Sequence, residues 1–115
     1  MNSQEMNNRE VALEFVKSFC AGDINELAPL LANDLKFKGP LFQFESSVAY
    51  MRSLQEDPPE KSGYRLLSVT ESNDSVSIFY EYQKREGPIT IAQSFRIANR
   101  KISEILLVFD TREFA

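Results

Sequence analysis

SVSIFYEYQKREGPITIAQSFRIANRKISEILLVFD, residues 75–110, is the stretch on which the fold turns. Val76, Ile78, Tyr80 and Tyr82 recur at every second position, as do Ile91, Gln93, Phe95 and Ile97, and then Ile105, Leu107 and Phe109. A period of two puts each set on one face of a β-strand. Arg85-Glu86-Gly87-Pro88 and Asn99-Arg100 break the pattern with turn-forming residues, so strands over 75–84, 89–98 and 102–109 are expected to run up and down as hairpins. Just upstream, Tyr64 to Thr70 reads as a further strand that turns through Glu71-Ser72-Asn73-Asp74 into this meander.

Toward the N-terminus the period changes. Ala12, Phe15, Val16, Phe19 and Cys20 recur at three- and four-residue spacing, which predicts a helix from Asn8 that Gly22 stops. Asp23 and Glu26 have the spacing of a capping box, so a second short helix is expected there, kinked or divided at Pro29. Leu35 to Lys38 alternates as a short strand ended by Gly39-Pro40, and a loop follows. Ser46 or Ser47 then caps a third helix carrying Val48, Tyr50, Met51 and Leu54, which stops before Asp57-Pro58-Pro59. Residues 1–8 are polar and aperiodic and read as a flexible lead-in; residues 9–115 read as one domain. Helices followed by an antiparallel meander predict an α+β domain with helices covering one face of a curved sheet.

The last strand is apolar on both parities, with Leu106 and Val108 facing away from Ile105, Leu107 and Phe109. A face of that kind needs covering, and a homodimer packed through the convex side of the sheet is the expected cover, with the chain's own N-terminal arm as the alternative.

Composition narrows the function. Seventeen acidic against thirteen basic residues give a net charge of −4, and no stretch concentrates Lys or Arg, so neither nucleic acid nor a membrane is an expected partner. No run reaches the length needed to span a bilayer and the start lacks an apolar signal segment, which predicts a cytoplasmic location. Cys20 is the only cysteine and sits in a helical apolar stripe, where a packed thiol is expected. There is no histidine, which removes imidazole bases, His-based triads and His-ligated zinc. No metal site and no cofactor are expected.

The phrase ALEFVKSFCAGDINELAPLLANDLKFKGP, followed by SSVAYMRSL and closed by FRIANRKISEILLVFDTREF, resembles the nuclear transport factor 2-like superfamily, in particular its SnoaL-like, polyketide cyclase-related branch. The resemblance covers Arg9 to Phe114. It implies a cone, a strongly curved antiparallel sheet wrapped around the N-terminal helices with an apolar cavity at the wide end. The fold hosts isomerases, dehydratases, hydrolases, cyclases and binding proteins, so it names no reaction. Where ketosteroid isomerase-like members carry a tyrosine, a base and a late acid, this chain has Phe15, Gly39 and Gln93. Where epoxide hydrolase-like members need an acid on the last strand, it has Leu107, and scytalone dehydratase-like members rely on histidine. The catalytic groups of these enzymes are therefore missing, and no catalytic residue is assigned.

What remains is a candidate pocket. Phe15, Phe19, Phe37, Tyr50, Phe95, Leu107 and Phe109 are expected on its wall, with Gln93, Tyr80 and Tyr82 supplying polar groups. A small, largely apolar ligand is the expected partner. One alternative is an isomerase or cyclase moving a proton next to a carbonyl, with Asp110 or a pocket tyrosine as acid; another is an interaction module whose cone is filled by its own side chains. Asp110 follows an apolar run, where a carboxylate can be primed for proton transfer, but strand parity turns it away from the side that Phe109 faces, and the expected role is structural, capping the turn around Thr111 or pairing with an arginine such as Arg112.

Overall fold

Asn7 begins the first helix by a reciprocal cap: its side chain accepts from the Glu10 backbone N–H while the Glu10 carboxylate accepts from the Asn7 N–H, at 2.8 and 2.9 Å. The computed structural model describes residues 6–114, so most of the predicted lead-in, residues 1–5, lies outside the described residues. Helix α1 (Asn8–Ala21) buries Val11, Ala12, Phe15, Val16 and Cys20 on one stripe. Gly22 ends it in the left-handed region at φ 78°, a conformation glycine adopts without a Cβ penalty.

The expected second helix is two 3₁₀ turns, Ile24–Glu26 and Ala28–Leu30, and the Asp23 side chain makes no cap. The capping box of this chain is at Asn7 and Glu10 instead. Pro29, lacking an N–H, keeps the two turns from joining into an α-helix.

Strand β1 (Leu31–Lys38) starts four residues before the alternating stretch that marked it, and a short strand β2 (Gln43–Phe44) lies in what was expected to be loop. Helix α2 (Ser47–Glu56) is capped by the Ser46 hydroxyl, which accepts from Ala49 N–H at 3.1 Å. The meander follows as β3 (Tyr64–Ser72), β4 (Ser75–Lys84), β5 (Gly87–Ala98) and β6 (Lys101–Val108).

The six strands form one sheet in the order β2-β1-β6-β5-β4-β3. It is mixed, which corrects the expectation of a purely antiparallel sheet: β1 and β6 run parallel, with Phe37 opposite Ile105. The first strand adds beside the last, a neighbour too distant in sequence for local periodicity to show. Register shifts insert extra residues in β1 between Leu31 and Lys36, in β3 between Leu66 and Ser68, and in β6 at Ser103, opposite the Arg96–Ile97 step of β5, and such bulges bend the sheet. Its concave face holds the core, where Val76, Ile78, Phe95, Ile97, Ile102 and Ile105 close on Phe15, Val11 and Val16 of α1.

The convex face is different. Phe79, Ala92 and Val108 stand in one row across β4, β5 and β6, with Ser77, Ser94 and Leu106 in the next. Phe79, Leu106 and Val108 are about half exposed, at 47%, 47% and 53%.

Candidate functional site

The concave face does not fill completely. Toward the ends of β1 and β6 it encloses a cavity of about 510 Å³, walled by Phe19, Phe37, Phe44, Tyr50, Tyr80, Tyr82, Ile91, Gln93, Leu107 and Phe109. Gly39, Pro40, Leu41 and Phe42 at one side and Asp57, Pro58 and Pro59 at the other complete its mouth. This size and apolar lining with a few polar groups match what small-molecule sites require.

Gln93 is the polar centre. Its strand neighbours on either side are Ile78 and Leu107, and it is 94% buried with a relative exposure of 6%. The Tyr80 hydroxyl donates to its Oε1 at 2.9 Å, reaching diagonally across β4 and β5. Tyr82, two residues further along the same face, donates to the Glu60 carbonyl at 3.1 Å and so ties the connector before β3 to the sheet. Burial pushes the phenols of Tyr50 and Tyr80 well above their ordinary range, and the nearby Tyr50, Tyr82 and Cys20 add to the effect at Tyr80. All three hydroxyls are held protonated by burial, which also raises Tyr82.

An aromatic chain runs up the wall. Tyr50 stacks on Phe37 with ring centroids 4.8 Å apart and planes at 20°, Phe44 tilts against both, and Phe42 stacks on Phe44 at 6.3 Å and 19°.

Eight of the ten residues expected at the pocket are brought together there. Phe15 and Phe95 are not: they meet edge to face at 5.4 Å beneath it, 1% and 0% exposed, as part of the core. Periodicity put them on the inward face but could not say how deep the floor lies. The mouth residues Leu41, Phe42 and Phe44 escaped sequence reasoning. An apolar pair spaced by one residue right after Gly-Pro was the available signal, and it was read as loop.

Asp110 leaves the candidate list. Its carboxylate is exposed and accepts from the Arg112 backbone N–H at 3.0 Å and from the Arg112 guanidinium at 2.7 Å. These bonds hold its pKa down at about 2, opposite to the raised value that an acid primed by apolar neighbours would show. The only carboxylates among the lining residues are Glu56 and Asp57, both exposed at the rim. Among the described residues no cluster of His, Cys, Asp and Glu is placed to hold a metal, and no helix is long and apolar enough to cross a membrane.

No protein-family model and no curated protein matches the sequence. Solved structures do match the fold. A nuclear transport factor 2-like protein of unknown function from Cytophaga hutchinsonii superposes with a TM-score of 0.82 at 19% identity, over 98% of each chain. A proposed ketosteroid isomerase from Kribbella flavida gives 0.78 at 14%, over 90% of this chain and 77% of its own. An LEH-like epoxide hydrolase of M. tuberculosis gives 0.76 at 11%, over 91% and 84%.

Proposed function

We propose that this chain, which has the nuclear transport factor 2-like fold, is a binding protein that takes a small, largely apolar molecule into the cone. The observation that carries this is the cavity of about 510 Å³ with aromatic and aliphatic walls and a single buried amide, Gln93, on its face. A cone filled by its own side chains would have no such space. Two of the structural neighbours are an isomerase and an epoxide hydrolase by description. Their chemistry is not carried over: the interior holds phenols, an amide and hydrocarbon, the lining carboxylates Glu56 and Asp57 stand exposed at the rim, and histidine is absent from the chain. The SnoaL-like branch and a cytoplasmic setting belong to the same proposal, on the order of the sequence motifs and the lone packed thiol.

The working unit in this proposal is a homodimer joined through the convex face. The half-exposed row of Phe79 and Val108 beside Leu106 supports it, since apolar side chains so grouped gain by leaving water.

Nile red, an uncharged dye whose emission rises in apolar surroundings, tests the cavity. Saturable uptake of one dye per chain is expected, together with a rise in melting temperature. Leu107→Trp should fill the space and abolish uptake while the protein stays folded. No saturable uptake, or uptake unchanged in Leu107→Trp, sinks the proposal.

A further inference from the structure

The charge at the mouth of the cavity is all of one sign. Glu56 and Asp57 are the only charged residues that line it. Both are exposed, and neither is in an ion pair among the described residues. Glu56 is the last residue of α2 and Asp57 its C-cap, and no basic residue stands in the last turn. A helix C-terminus carries partial negative charge on its unbonded carbonyls, which here adds to that of the two carboxylates with nothing in that turn to offset it. Lys38, beside the mouth residue Gly39, lies on the outward parity of β1. Inside the rim the wall is made of rings: Phe42, 65% exposed, stacks on Phe44, which tilts against Tyr50.

We propose that the cavity takes an amphipathic amine, with an apolar body among the rings and one alkylammonium group at the rim beside Glu56, Asp57 and the end of α2. This rests on the cavity being a ligand site, and it assigns the charge of the ligand's outer end.

The sign of the rim selects the class. An ammonium gains from the carboxylates, from the helix C-terminus and from any ring face that it lies over. A carboxylate in the same place would meet like charge, with no Lys or Arg lining the cavity to offset it. A bare inorganic cation would gain nothing from a hydrocarbon wall, and among the described residues no group of His, Cys, Asp and Glu is placed to hold one. A neutral apolar molecule would fill the interior and leave the rim unused. The amine uses both parts. Held at the rim, its charge stays partly hydrated and avoids the cost of burying an unpaired ion beside Gln93. An aliphatic ammonium, like that of lysine, keeps its charge throughout neutral pH.

Two matched series test the inference, each with one body and three ends: phenylbutylamine, phenylbutanol and phenylbutanoate; naphthylethylamine, naphthylethanol and naphthylacetate. Calorimetry and displacement of Nile red measure all six. In at least one series the amine should bind about fivefold more tightly than the alcohol at low salt, with the carboxylate weakest, since exposed ion pairs and cation–π contacts are each modest. Sodium chloride at about 0.5 M should erase most of that preference without weakening the alcohol. Glu56→Gln combined with Asp57→Asn should bring amine and alcohol together. Glu71→Gln combined with Asp74→Asn removes the same charge at the far end of β4 from Tyr82 and should keep the preference. All four residues are exposed, and the urea midpoints check that both double variants stay folded. Amine and alcohol binding alike in both series, or a preference for the carboxylate, overturns this inference and leaves the cavity site standing. So does an amine preference that survives Glu56→Gln with Asp57→Asn, or one lost equally in both double variants. Binding of none of the six while Nile red enters has the same meaning, and binding of none together with failure of Nile red overturns both.

Discussion

Tyr80 and Gln93 hold each other inside an apolar layer, the phenol donating to the amide oxygen at 2.9 Å between adjacent strands. Each is the other's only side-chain hydrogen-bond partner among the described residues. Their energetics should therefore be coupled.

Tyr80→Phe strands a buried amide oxygen and Gln93→Leu strands a buried hydroxyl, so each single change should cost about 1 to 3 kcal/mol. The double variant removes both polar groups and should cost clearly less than the two singles together. Urea denaturation of the four proteins measures this, and strict additivity would show that the bond contributes nothing to stability.

Asp110 should behave as a structural carboxylate. Its folded pKa is depressed from 3.8 to about 2 by its bonds to Arg112. The sign follows: whatever it contributes is present above pH 3.8 and is lost as pH falls through about 2. The group is exposed, so the effect on stability is small. Carboxyl NMR titration should find it well below an ordinary aspartate, and Arg112→Gln should raise it. Asp110→Asn should leave Nile red uptake unchanged; a loss of uptake would return it to the site.

Much of the fold was legible because one face of each long strand is buried, and burial writes a period of two into residues 75–110. The helical stripe ending at Gly22 was legible for the same reason. The parallel pairing of β1 with β6 was not, because its contacts, such as Phe37 with Ile105, join residues far apart in the chain. The candidate site was legible as a set of inward residues and illegible as a cavity. Phe15 and Phe95 follow the same pattern as Phe19 and Gln93, and only packing depth separates floor from wall. Nor could spacing show which hydroxyls were already paired: Tyr80 and Tyr82 donate to groups of the protein, and Tyr50 has no such bond among the described residues.

Alkaline pH should unfold the chain through its buried acids. Burial pushes the Cys20 thiol from 9.0 up to about 11 and raises all four tyrosines. Each keeps its proton longer folded than unfolded, so its contribution is complete below the unfolded pKa and is lost as pH rises through the folded one. The urea midpoint should hold steady to about pH 9 and then fall, and phenolate absorbance should grow together with the loss of structure. At neutral pH an aromatic disulfide reagent should label Cys20 only after denaturant is added. Prompt labelling of the folded protein would contradict its burial.

The convex face carries the last prediction. Phe79 and Val108 flank the small Ala92, and Leu106 stands one row away between Ser94 of β5 and Lys38 of β1. Charged clusters lie beyond this patch: Arg65 with Glu81 toward one side, Arg96 with Asp74 and Glu104 toward the other. An apolar centre with a charged rim is the layout of a protein interface, and a stable one needs about 800 Å² from each partner, more than these side chains alone supply. The serines and alanine between them must therefore come within packing distance too, which a flat sheet-on-sheet contact allows and a single protruding contact does not. Val108→Glu places a charge in the middle of that contact and faces away from the cavity. Sedimentation should show twice the chain mass for wild type and the single-chain mass for Val108→Glu and for Phe79→Glu. Nile red stoichiometry per chain should stay the same in both variants, since the two faces of the sheet are separate. A wild type that sediments as a single chain at high concentration would leave the convex face without a second copy.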